Sequence, residues 1–396
     1  MNGESRWEDS RLGVFVACFF ISVAANGYFI APASVLPLLV GEFSVTKTVA
    51  SLAISTAIFG TVLSQIPCGF LMDRYDNRRL MAAATAVFLP VSVVGVVLVS
   101  YPLFLASRFV AGVAAGVLFV LGTNVVSQLF AGRNQGFMMT VFIASAPVGF
   151  AFSQFSGPPV AAAFGWEATF LTYPLLAAAG FVLFRLSWST PIQSGDPISL
   201  AQFGMALRNR SVLVVSVSAF CSYMLYIFFN SWMPTYATEV LPLTLVQAGA
   251  VTSLLPAVGV VARPVGGWVS DALGYRRRVV VAASLLFSLP GLYVVAAGVS
   301  PTVFAVTMLC VGFSIQFGSG VYYVYARELA TENSGGTTLA LFTTIAFTGT
   351  LVSPTVGGWL ISAVSWSATF AVYVGIGLFG IGILLLSTDS RPNAVA

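Results

Sequence analysis

The chain has 396 residues, of which 58% are hydrophobic and only 8% charged, with 33 Phe and 37 Gly. Soluble domains carry about 25% charged residues, so this chain lacks the groups to cover a water-facing surface and reads as a polytopic membrane protein with no room for a soluble domain. It has no His, a single Lys (Lys47) and a formal net charge of +4, which removes His-dependent metal sites and triads and most Schiff-base chemistry. No cofactor is expected. The four cysteines, Cys18, Cys68, Cys221 and Cys310, stand singly in apolar stretches without metal-ligand spacing and read as small core residues.

The start is short and polar, mixing Glu4, Glu8 and Asp9 with Arg6 and Arg11, and an apolar run follows from Leu12 to about Val40. A secretory leader has a shorter apolar core and a small-residue cleavage site, so a first spanning helix is expected instead. At roughly 20 residues per crossing, breaks at charges, Gly and Pro give twelve spans. The first six are 12–40, 47–70, 79–99, 102–130, 136–163 and 168–188. The second six are 211–237, 245–270, 278–299, 302–327, 336–363 and 368–387. The longest polar interruption, Ser189 to Arg210, falls at the middle. The expected domains are therefore a bundle over 1–190, a cytoplasmic loop over 191–210 and a second bundle over 211–396.

Lys and Arg counts set the orientation. With the N-terminus inside, fifteen of the 17 fall on cytoplasmic segments, Arg263 among them; Lys47 falls outside and Arg108 within span 4. This bias follows the positive-inside rule, so the net positive charge is a topology signal and calls for no nucleic acid. The halves are also related. Aligning 136–180 with 336–380 without gaps gives 13 identities in 45 positions, including Ser153/Ser353, Gly157/Gly357, Trp166/Trp366 and Tyr173/Tyr373. Two parallel six-helix repeats imply a pseudo-two-fold axis along the membrane normal, with a solute site near the midplane at the repeat interface.

The loop after span 2 reads Gly69-x-x-x-Asp73-Arg74, followed by Asp76, Arg78 and Arg79. The loop after span 8 reads Gly267-x-x-x-Asp271, followed by Gly274, Arg276, Arg277 and Arg278. Small Gly residues let helices approach closely, and an Asp at a helix end can meet a neighbouring helix N-terminus or an Arg through contacts that break when a bundle rocks. Both copies resemble the cytoplasmic-loop signature of the major facilitator superfamily, although Asp76 stands where a Gly is usual. The resemblance covers the whole chain. It implies an all-α membrane fold, twelve transmembrane helices in two pseudo-symmetric six-helix bundles, and secondary transport by a rocker-switch form of alternating access. It also favours a monomer in the plasma membrane with both termini cytoplasmic.

Arg108 opens an Arg-x-x-x-Gly pattern with Gly112, which resembles the family's span 4 pattern, and lies roughly 9 Å below the outer end of that span at 1.5 Å per residue. It is read as the one formal charge well inside a span. Two readings stand: a counter-charge or gate for an anionic solute, or a buried cap on backbone carbonyls. The resemblance further implies that spans 1, 4, 7 and 10 line the solute path. Helical spacing then brings Tyr223, Tyr226 and Asn230 to one face of span 7, and Gln316, Ser319, Tyr323 and Arg327 to one face of span 10. Asn26 and Asn124 add amides from spans 1 and 4. Interhelical hydrogen bonding is the alternative role for each of these residues.

Ser153-Gln-Phe-Ser-Gly157-Pro158-Pro159 partly resembles the Gly-Pro motif of drug and metabolite antiporters, without its flanking glycines. The stretch from Trp232 through Pro256, Arg263, Pro264 and Trp268 to Asp271 looks like the branch of nitrate, cyanate, sugar-phosphate and organic-anion permeases. Nitrate porters of that branch carry an Arg in span 2, and its absence here argues against nitrate itself. All acidic residues fall at boundaries or in loops, so no proton-coupling carboxylate is evident and the coupling ion is left open. The expected function is transport of a small solute, an organic or inorganic anion on the strength of Arg108. The alternative is an efflux antiporter for lipophilic or cationic compounds. A membrane enzyme would need a nucleophile with a base, or a metal cluster, and neither is found.

Overall fold

A computed structural model describes residues 3–97, 100–130, 135–187, 207–274, 276–330 and 335–387. The described residues form α-helices and no strand. They are α1 (Gly3–Ser34), α2 (Leu36–Phe43), α3 (Lys47–Arg74), α4 (Asn77–Val97), α5 (Tyr101–Leu129), α6 (Gln135–Ile143), α7 (Ser145–Phe164) and α8 (Trp166–Ser187). After the central segment, most of which lies outside the described residues, follow α9 (Arg210–Glu239), α10 (Leu245–Thr252), α11 (Leu254–Ala257), α12 (Gly259–Ala272) and α13 (Arg277–Ala296). The last three are α14 (Pro301–Glu328), α15 (Gly335–Ala363) and α16 (Trp366–Leu384). Twelve stretches among the described residues are long and apolar enough to cross a membrane.

Three spans are broken, and proline explains where. Proline lacks an N–H and its ring clashes with the carbonyl four residues earlier. The chain therefore breaks at Val35 just before Pro37, at Ala144 before Pro147, and at Ser253 before Pro256. Span 8 breaks a second time at Val258, with no proline just after it, and becomes three short helices, α10 to α12. Short helices leave their terminal carbonyls without partners of their own, which matters for the site below.

The chain divides into two compact units: unit 1 is Met1–Val45 with Leu52–Pro197, and unit 2 is Thr46–Ser51 with Ile198–Ala396. Each repeats the same packing. In unit 1, α1 packs on α7 and α8, and α4 on α5 and α8; in unit 2, α9 packs on α15 and α16, and α13 on α14 and α16. The sequence identities become contacts. The Tyr173 hydroxyl donates to Ser153 Oγ at 2.9 Å, and the Tyr373 and Ser353 hydroxyls lie 3.0 Å apart. In unit 2, Lys47 pairs with Glu239 at 2.6 Å. Cys18, Cys68 and Cys221 are buried, but Cys310 is exposed on α14 and is not the core residue expected.

Close approach of helices falls at other glycines than the two that open the loop signatures. Within its own unit, a Cβ on Gly69 or Gly267 would meet no described atom within 4 Å, so neither glycine is what brings the helices of one unit together, contrary to the expectation from sequence. A Cβ on Gly112 would collide with the Ala57 carbonyl of α3, one on Gly312 with the Leu255 carbonyl of α11, and one on Gly266 with the Phe317 carbonyl of α14. Gly112→Leu is expected to lower stability by about 1–3 kcal/mol through overpacking. Gly69→Ala should be neutral or gain up to ~1 kcal/mol from helix propensity. Thermal unfolding of the two variants in detergent beside the parent chain checks the contrast.

Candidate solute site

Arg108 is fully buried in unit 1, and three backbone carbonyls hold its guanidinium. Nη1 donates to the Tyr28 carbonyl at 2.8 Å, Nη2 to Phe29 at 3.0 Å and Nε to Ala53 at 2.9 Å. Its carbon sits 4.1 Å over the Tyr28 ring, at cation–π distance. The local reason is Pro32, which stands inside α1 four residues after Tyr28. Without an N–H at that position the Tyr28 carbonyl has no helical donor, and Arg108 supplies one. Gly112, one turn further on, lets α3 come close enough for Ala53 to complete the set. This geometry matches the carbonyl-capping alternative, with every nitrogen type of the guanidinium committed to backbone.

A second intramembrane arginine is present. Arg263 lies in α12 about nine residues before its end at Ala272, roughly 13 Å into the span. Counting it among cytoplasmic residues, and Arg108 as the one charge inside a span, is corrected by the fold: α12 runs unbroken past Arg263 to Ala272. Arg263 lines a small cavity of unit 2 with Ser222, Tyr223, Tyr226, Ile315, Gln316 and Ser319, leaving about 10 Å³, room for about one water.

Gln316 organises this cavity. Its amide nitrogen donates to the Leu255 and Pro256 carbonyls, both at 3.1 Å, which belong to the one-turn helix α11. Gly259 leaves the space for that amide, since a Cβ there would collide with it. With the nitrogen so fixed, the amide oxygen turns to Arg263 and accepts from its Nε at 3.0 Å. The guanidinium end of Arg263 is thereby aimed, half-buried, and among the described residues it has no carboxylate partner. The Tyr223 hydroxyl reaches that of Tyr323 at 3.2 Å. Tyr223, Tyr226, Gln316 and Ser319 thus meet as their spacing suggested, with Tyr323 behind Tyr223.

Other candidates lie elsewhere. Asn230 is buried and donates to the Tyr226 carbonyl of its own helix at 2.7 Å. Arg327 is exposed in the last turn of α14. In unit 1, Asn26 donates to the Ser22 carbonyl at 2.9 Å, and Asn124 Oδ1 accepts from Gln128 at 3.1 Å. Arg263 was legible in the sequence: it sits within 245–270, with Pro256 and Pro264 marking a broken helix around it.

The two loop signatures differ in detail. In unit 2, Arg277 at the start of α13 binds Asp271 at 2.5 Å, Glu328 at 2.9 Å and Ser270 at 2.9 Å, joining the ends of α12, α13 and α14. Gly274 takes φ +68 in the turn. In unit 1 the Gly is replaced by Asp76, whose carboxylate accepts from the Arg78 backbone N–H at 3.0 Å and pairs with its guanidinium at 3.0 Å. Arg74 and Arg276 are exposed; the Asp73 side chain lies outside the described set.

Arg108→Gln is expected to lower stability by at least about 2–3 kcal/mol, because three buried carbonyls lose charged donors. Arg263→Gln, half-buried with one side-chain bond to lose, should cost under about 1 kcal/mol. Unfolding midpoints of the two purified variants check this order.

The family model of the Major Facilitator Superfamily matches residues 13–351. A probable nitrate/nitrite transporter of Mycobacterium tuberculosis is 29% identical over 80% of this chain and 81% of its own length. A hexuronate transporter of Bacillus subtilis is 22% identical over 87% of this chain and 86% of its own. The fold is similar to the crystal structure of a bacterial homolog of the human lysosomal transporter Spinster, in an inward-facing and occupied conformation, with TM-score 0.78 at 13% identity over 95% of this chain and 96% of that one. With the two loop signatures, the repeated packing of both units and the match over most of its length, the chain belongs to the Major Facilitator Superfamily of transporters.

Proposed function

We propose that this transporter carries a small organic or inorganic anion across the plasma membrane by alternating access, as a monomer with both termini cytoplasmic. The observation that carries the reading is Arg263: an intramembrane cation, aimed by Gln316, without a carboxylate partner among the described residues. A charge inside a span is costly, about 2.5–3.5 kcal/mol on insertion scales, and such residues mark solute or ion paths. Around Arg263 stand the hydroxyls of Tyr223, Tyr226 and Ser319, of which Tyr223 donates to Tyr323 and Ser319 to the Gln316 carbonyl in this state, so that both must turn to meet an oxyanion; no carboxylate among the described residues lines the cavity to favour a cation. The relatives named nitrate/nitrite and hexuronate transporters supply the solutes to try first. Membership of a transporter family supports transport without covalent chemistry. Arg108, bound to carbonyls, serves here as a structural cation.

Counterflow in proteoliposomes tests this, with nitrate, nitrite, a hexuronate and a lipophilic cation as solutes. One anion is expected to exchange in the parent chain, and Arg263→Gln should reduce that exchange at least about 100-fold, as the loss of a charge-assisted contact of 3 kcal/mol or so would. Tyr223→Phe should cost about 5–10-fold, the size of one neutral hydrogen bond. Anion exchange undiminished in Arg263→Gln would remove the assignment of the site. Exchange of the lipophilic cation alone would favour an efflux antiporter.

A further inference from the structure

The ends of α4 and α8 in unit 1 enclose an open cleft of about 570 Å³ lined by Asp76, Arg78, Arg79, Ala82, Phe181 and Arg185. Three guanidinium groups share it with one carboxylate, and that carboxylate is already paired with Arg78. Arg79 and Arg185 are exposed and have no carboxylate partner among the described residues. Unit 2 treats the equivalent places differently. Arg277, in the same register of its loop signature as Arg79, is met by Glu328, whereas 200 residues earlier Gln128 stands in the place of Glu328. Arg185 has Leu385 as its repeat counterpart. The unmatched positive charge of this cleft is therefore a property of unit 1 and not a requirement of the repeated scaffold.

The cleft is polar at one end only. From Arg79 and Ala82 the same face of α4 continues at helical spacing through Ala86, Pro90 and Val93, all exposed; from Arg185 and Phe181 the face of α8 continues through Ala178 and Leu175. Guanidinium groups stand at the membrane boundary, and apolar side chains continue from them along the faces of two packed helices toward the bilayer centre. Free phosphate would use the first feature and leave the second without purpose. A phospholipid uses both. Basic pockets between spans on the cytoplasmic side are suited to anionic headgroups, and Arg forms forked hydrogen bonds to phosphate oxygens.

We propose that the cleft between the ends of α4 and α8 binds one anionic phospholipid, with its phosphate on Arg79 and Arg185 and an acyl chain along the apolar faces of α4 and α8. The site is independent of the solute cavity, which lies in unit 2.

The test is native mass spectrometry of the delipidated full chain titrated with dioleoylphosphatidylglycerol or dioleoylphosphatidylcholine, with and without excess inorganic phosphate. The parent chain should hold one phosphatidylglycerol more tightly than phosphatidylcholine. Arg79→Gln/Arg185→Gln should weaken that binding roughly 30-fold, while Arg208→Gln/Arg210→Gln, which removes the same charge from unit 2, should change it less than about twofold. Equal loss in both double variants, or no loss in the first, would overturn the proposal. Displacement of the lipid by inorganic phosphate would overturn it too, in favour of a free-anion site. A photoactivatable phosphatidylglycerol on the parent chain gives a reading that needs no variant to fold: labelling of 79–93 or 175–185 supports the site, and labelling confined to other helices refutes it.

Discussion

Backbone carbonyls freed inside the bilayer must find donors within the protein, because hydrocarbon offers none, and both units are organised around meeting that demand. In unit 1, Pro32 leaves the Tyr28 carbonyl without a helical partner, and Arg108 reaches it together with the carbonyls of Phe29 and Ala53. One guanidinium thereby ties α1, α3 and α5 together. In unit 2, span 8 breaks a second time at Val258, and the carbonyls of Leu255 and Pro256 just before that break accept from the amide of Gln316. The same problem is solved by a cation in one unit and by a neutral amide in the other.

That difference sets how much hydrogen-bonding capacity each site retains. Arg108 spends its hydrogen-bonding capacity on backbone and is packed against the Tyr28 and Phe170 rings. Gln316 spends its nitrogen on backbone and keeps its oxygen for Arg263. A cation that fixes helices is closed to other partners; a cation held by one nitrogen at the edge of a hydroxyl-lined space still has donors to offer.

The repeat shows the same division at the membrane boundary. The Arg277 cluster is internally neutralised by Asp271 and Glu328, and it joins three helix ends. In unit 1 the acid opposite is a Gln, the turn is built on Asp76 instead of Gly, and Arg79 and Arg185 are exposed on the cleft between the ends of α4 and α8. Packing between helices is repeated almost pairwise, while the charges attached to it are not. The scaffold is thus shared, and the chemistry is added unit by unit.

The amino-acid sequence by itself determined the number and order of the spans, the internal repeat, and the family, since these rest on apolar length, proline and glycine position, and two spaced loop signatures. It also determined that Tyr223, Tyr226, Gln316 and Ser319 share faces, because helical spacing alone requires it. Tertiary structure decided what those faces meet. Lys and Arg counting set Arg108 within a span and Arg263 outside one; only the fold puts both inside spans and gives the first three carbonyls and the second a single amide. The glycines divided in the same way: Gly69 and Gly267 carry the signature, while Gly112, Gly266 and Gly312 carry the close contacts. Contact is a property of the neighbouring helix, and spacing along one chain cannot specify which neighbour will be there.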